Sequence, residues 1–309
     1  MKLFLLALAL CVALSPSANA SPAAVTLRIK NDIPKFERFY RDASKPGVTE
    51  EQRWKLWQRE YGIAAVPPTP QGEKLARAQL DAAWPRYGAL VPRLPELTAQ
   101  AAADARAAAQ RIGGLLDPSA RPVTIALVLY VGQFDDNAFS IPAMSGQPPT
   151  SLMPVEAIGV RLLLAHELSH DVNFALAHVR NSFGAPLGET VFLEGLAMRS
   201  ASRVFPGLPD SAYTEMTGDR GWLARCYAKR DAVLHGMLPY LDASGASVAT
   251  RFTFGNGTTG MHREAYCAGW ILVGSLLAHG HTLAQLATIP ESAMTGVVRN
   301  AIKAQSPPV

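Results

Sequence analysis

Two histidines and a glutamate in one short string, His166-Glu167-Leu168-Ser169-His170, are the residue types needed to hold a metal ion and move a proton beside it. The string lies inside an apolar run, residues 155–177, whose pattern predicts a helix. Positions four apart on a helix sit one turn up the same face, about 6 Å along the axis, so both imidazoles can reach one ion at roughly 2 Å each. Glu167 projects from the adjacent edge. It is too far round to be a third ligand and well placed to take a proton from water at the ion, the work of a general base. Without an ion, a buried His-Glu-His cluster leaves polar groups in need of partners, which costs stability.

A tetrahedral catalytic zinc takes three protein ligands and keeps a fourth position open. Glu189 and Glu194 both fall in residues 188–199, which read as a second helix after a turn at Gly184-Ala185-Pro186. Five residues apart, they lie about 140° round a helix, so only one can face the ion. Phe192, Leu193, Leu196 and Ala197 form an apolar side suited to packing on the first helix. Glu194 is favoured, because the small pair Gly195 and Ala197 beside it lets two helices approach closely enough for a short carboxylate to reach the ion. His178 competes poorly: on a straight helix it sits about 12 Å beyond His170, and it is expected at a helix end or on the surface. Asn173 and Leu176 stand where a three-histidine HExxHxxGxxH site needs glycine and histidine, which excludes that class.

With Glu194-Gly195-Leu196-Ala197 downstream of the HExxH string, the chain resembles the gluzincins, the thermolysin-like superclass of zinc metallopeptidases, over roughly residues 120–275. The resemblance is closest to bacterial zinc-dependent proteases that pair HExxH with such a Glu-Gly-Leu-Ala. It implies one zinc per chain held by His166, His170 and Glu194, with Glu167 as base. It also implies a zincin-like α+β fold, mostly helical, with a small mixed sheet next to the HExxH helix. One departure is Met198, which stands where an acid four residues after the ligand glutamate would orient a histidine; Asp171 is a weak substitute. Tyr266, Gly269 and Trp270 resemble a Tyr-x-x-Gly element near the metal. Tyr266 is therefore the first choice for donating to a developing oxyanion, and His262, one turn earlier on the same helix face, the second.

The elements that must position these residues are legible in outline. Residues 27–43 and 49–61 read as helices, the second with a capping box from Thr49 and Gln52. After a break at Pro67, Pro68 and Pro70, residues 71–84 and 95–116 are again helical by propensity. Residues 123–131 are almost continuously apolar and predict a strand covered on both faces. Residues 133–139, ending Asn137-Ala138-Phe139, resemble the edge strand that lines the gluzincin cleft, where an extended peptide can pair with the backbone. Residues 222–241 read as one long helix, 251–259 as a loop or short strand, 261–278 as a helix, and the chain from Thr282 as two short amphipathic helices. The loop over residues 140–149 carries no readable specificity signature.

Met1-Lys2, an apolar stretch to Leu14 and Ala18-Asn19-Ala20 predict a cleaved leader over residues 1–20 and export to the periplasm or beyond. Leu10 before Cys11 is too large for a good lipid-attachment site, and no later segment has the apolar length of a membrane span. Beyond the leader, residues 21–120 are expected to form a helical region and 121–309 the catalytic region. Cys226 and Cys267 remain, either bridged or buried as thiols. A net charge of +4 over 309 residues, spread along the chain, leaves no nucleic-acid footprint. The expected partner is a peptide or protein substrate cleaved by zinc-activated water. Two other readings stay open: a non-catalytic exported binding protein on a zincin scaffold, against which the intact Glu167 speaks, and a zinc hydrolase of a non-peptide, cell-wall amide.

Overall fold

In a computed structural model the protein is described over residues 25–66, 69–116, 122–182, 184–215 and 218–305. The expected leader lies outside these. The fold is α+β, with a four-stranded mixed sheet among helices: β1 (Val25–Asn31), β2 (Val123–Tyr130), β3 (Phe139–Ile141) and β4 (Thr150–Pro154) in the order β1-β2-β4-β3. β1, β2 and β4 run parallel and β3 antiparallel to β4. The helices are α1 (Ile33–Ala43), α2 (Glu50–Glu60), α3 (Pro70–Leu90), α4 (Leu94–Leu116), α5 (Val160–Ala177), α6 (Leu187–Val204) and α7 (Asp210–Thr214). They continue with α8 (Trp222–Ala228), α9 (Arg230–Met237), α10 (Ala246–Ala249), α11 (Glu264–Ala278), α12 (Leu283–Ala287) and α13 (Glu291–Gln305). Among the described residues no helix is long and apolar enough to cross a membrane.

The start of the chain corrects the expected helix over residues 27–43. Val25, Leu27 and Ile29 alternate with Thr26, Arg28 and Lys30, a period of two that the parallel partner β2 selects, pairing Val25 with Val123 through Asn31 with Leu129. The helix begins only at Ile33, where Asn31 Oδ1 accepts from the Ile33 amide and Pro34 sits in the first turn. The Thr49–Gln52 capping box forms, with Gln52 N donating to Thr49 Oγ1 at 3.2 Å and Thr49 N to Gln52 Oε1 at 2.9 Å. Two expected helices lengthen or break: α3 runs through Pro85 to Leu90, whereas residues 222–241 divide into α8, α9 and a short 3-10 turn.

The expected edge strand is displaced. Residues 131–138 form a loop and the strand starts at Phe139, because the turn formers Asp135-Asp136-Asn137 prevail, with positive φ at Phe134 and Asp136. Hydroxyls from the first hundred residues hold that loop: Tyr61 donates to the Val131 carbonyl at 2.6 Å and Tyr87 to that of Gly132 at 2.8 Å. Both rings belong to an aromatic cluster with Phe36, Phe39 and Trp84.

α5 lies at the centre, packed against the sheet, α4 and α6. It starts at Val160, after Gly159 in the left-handed conformation, and every side chain from Leu163 to Phe174 is buried. α6 in turn packs between α5 and α11. The small residue beside Glu194 serves the second of these contacts. A Cβ on Gly195 would stand 2.3 Å from the Gly269 carbonyl oxygen of α11, and one on Gly269 would stand 2.5 Å from that of Val191. The expectation that Gly195 brings α6 close to the first helix is thus corrected: it lets α11 approach.

Gly269→Ala should therefore lower stability by about 1–3 kcal/mol, because backbone cannot yield as a side-chain tip can. Denaturant unfolding checks this, and an unchanged midpoint would show that the crossing is looser.

Candidate metal centre

α5 carries two polar pairs at helical spacing on neighbouring faces. His166 and His170 face α6, and Glu167 and Asp171, each one residue further on, face the sheet. Glu194, about two turns into α6, meets the histidines. Its Oε2 lies 3.1 Å from His166 Nε2 and 3.5 Å from His170 Nε2, and the two Nε2 atoms are 3.1 Å apart. A tetrahedral ion bound at about 2.0–2.2 Å sets neighbouring donors roughly 3.3–3.5 Å apart, so the residues present fit the ion. These three could hold a metal ion, and they are the one such group of His, Cys, Asp and Glu among the described residues.

Electrostatics follow from that geometry. Burial acts to raise the Glu194 carboxyl, but the facing imidazoles outweigh it and hold the group well below the usual carboxylate range. Burial acts to lower His170, and the Glu194 carboxylate reverses the sign and raises it. A site that favours a carboxylate beside two ring nitrogens is one in which a cation can replace the protons. His166 Nδ1 is buried with no hydrogen-bond partner. The expected substitute for its orienting acid, Asp171, turns instead to the sheet.

There the sequence reading missed two residues. Ser140 of β3 and Ser151 of β4 are direct cross-strand partners, and period-two alternation turns both side chains inward. The Ser140 hydroxyl donates to Glu167 Oε2 at 2.6 Å and lies 3.0 Å from Ser151 Oγ, which is 2.6 Å from Asp171 Oδ2. Burial pushes the Asp171 carboxyl well above its ordinary range. Asp171 Oδ2 accepts from Ser151, and either hydroxyl can donate in the Ser140–Ser151 contact. No local signal marks either serine, since their pairing depends on the β3–β4 register.

The remaining candidates separate. Glu189 is not a ligand: it is buried near Glu291, with one carboxylate oxygen unpartnered. His178 caps the end of α5, exposed and left-handed. Tyr266, in the first turn of α11, lies in the fields of Glu194 and Glu167. Its hydroxyl is pushed up, first by burial and then by Glu194, while Arg263, stacked 3.7 Å from the ring centroid, opposes the shift. His262 does not share its face, because α11 begins at Glu264 and not at Met261. It is exposed, and its Nε2 donates to the Phe254 carbonyl at 2.8 Å. The Glu264 carboxylate sets that boundary, accepting from the amides and hydroxyls of Thr258 and Thr259. A disulfide between Cys226 and Cys267, Cα atoms 5.6 Å apart, ties α8 to the same turn.

Glu189 makes stability pH-dependent. Burial, and then Glu291, push its carboxyl from 4.5 to about 7. The neutral form is favoured in the fold, so its contribution is full below the ordinary value and is lost as pH rises through about 7. Glu189→Gln, neutral throughout, should raise Tm at about pH 8 and change it little at about pH 4; equal Tm differences at both would refute the assignment.

Comparison of the chain with models of protein families, with curated proteins and with solved structures gave no match.

Proposed function

We propose that this protein is an exported zinc-dependent peptidase of gluzincin type. The observation that carries the reading is the closure of Glu194, from a separate helix, on both Nε2 atoms of the HExxH string. His166, His170 and Glu194 would hold the ion. When bound, zinc supplies Lewis acidity, lowering the pKa of water towards about 7 and polarising the scissile carbonyl.

The chain's own residues do the rest. Glu167, on the same helix as both histidines and set by Ser140, takes the proton of the attacking water and passes it to the leaving amine nitrogen. The Tyr266 hydroxyl donates to the developing oxyanion, and its raised pKa keeps that proton in place at neutral pH. β3 is the last strand of the sheet among the described residues, and its outer edge can add an extended peptide by main-chain hydrogen bonds. The Cys226–Cys267 disulfide supports export to an oxidising compartment.

Purified mature protein should contain about one zinc per chain and cleave members of a peptide library in a chelator-sensitive way. Glu167→Gln should lower kcat by about 10²- to 10⁴-fold with zinc content retained, and loss of zinc in that variant would make Glu167 a ligand. Zinc at full occupancy in His166→Ala would remove that ring from the chelate. For Tyr266→Phe the expectation is a kcat loss of about 10²-fold at nearly constant KM; full activity would end its assigned role.

A further inference from the structure

The Glu167–Asp171 face of α5 is as organised as the histidine face, and no ligand role accounts for it. Four side chains form a closed circuit that leaves α5 at Glu167, crosses Ser140 on β3 and Ser151 on β4, and returns to α5 one turn later at Asp171. All four are buried, Ser151 and Asp171 with no exposed surface. Ser140 also lies 3.1 Å from the backbone carbonyl of Glu167, so it touches both ends of that residue.

We propose that Ser140, backed by Ser151 and Asp171, is a positioning residue that fixes the carboxylate plane of Glu167. This rests on the role of Glu167 as general base. The terminal torsion of a glutamate is broad, with no staggered well to hold it, so an unrestrained carboxylate samples many planes. A 2.6 Å contact to one oxygen removes that freedom and leaves Oε1 to meet the attacking water. Ser140 could hold Glu167 only loosely if its own hydroxyl rotated. The Ser151 contact at 3.0 Å limits that rotation, and Asp171 limits Ser151 in turn. Because both serines sit on paired strands, the base is referred to the same edge strand on which an extended peptide would lie. Base and scissile bond then share one frame, which matters when a displacement of about 1 Å can cost 10²-fold in rate.

Ser140→Ala should lower kcat about 10- to 100-fold, with KM and zinc content unchanged. Ser151→Ala should lose less, and the double variant should be no slower than Ser140→Ala alone, since the residues act in series. A second readout needs no turnover: the infrared carboxylate band of Glu167, identified by its disappearance in Glu167→Gln, should shift in Ser140→Ala. If Ser140→Ala folds poorly, Ser151→Ala should still move that band. An active wild type whose Ser140→Ala variant keeps its kcat and an unmoved band overturns the inference, as do additive losses in the double variant. A wild type that cleaves no peptide while the band still shifts would instead remove the peptidase reading and leave the positioning of Glu167 standing.

Discussion

Four ionisable side chains buried on one helix set the terms for the whole molecule. His166, Glu167, His170 and Asp171 lie in α5, each with less than a tenth of its surface exposed. Burying such groups unpaired would cost several kcal/mol each, more than a domain of this size can lose. The spacing of four divides them into two ladders on adjacent faces, and each ladder must be answered by a different neighbour. α6 answers the histidines with one carboxylate, and β3 and β4 answer the acids with two hydroxyls. The sheet and α6 are therefore confined to adjacent flanks of α5, and the candidate site lies on the face turned to α6.

The remaining packing holds these flanks in place. α6 is pinned from behind by α11, where Gly195 and Gly269 let the two backbones touch, and that crossing carries Tyr266 towards Glu194. The start of α11 is held three ways: by the Glu264 carboxylate and its four donors, by the Cys226–Cys267 bridge, and by Trp222 Nε1 donating to the His262 carbonyl. On the sheet side, the described residues between 25 and 90 have a definite task. β1 pairs with β2 along its length, and Tyr61 and Tyr87 hold the loop that delivers β3. One continuous apolar core joins these residues to the rest, so the early helices brace the strand that carries Ser140.

What could be read in the residues alone was local or periodic. The HExxH spacing placed two rings on one helix face, five-residue spacing allowed only one of Glu189 and Glu194, and the capping box at Thr49 and the apolar run of β2 declared themselves within a few positions. The glutamate that meets both imidazoles was therefore legible in the sequence. Tertiary structure decided everything that needed two distant segments. Residues 27–31 became a strand because β2, almost a hundred residues later, offered a parallel partner. Gly195 turned to α11 instead of α5, and Glu189 was left buried beside Glu291. Ser140 and Ser151 acquired a role only through the register that sets them opposite each other beneath Glu167 and Asp171. A helix repeats every 3.6 residues and shows its face in a few turns of sequence, whereas strand pairing and helix crossing record their partners nowhere in the local string.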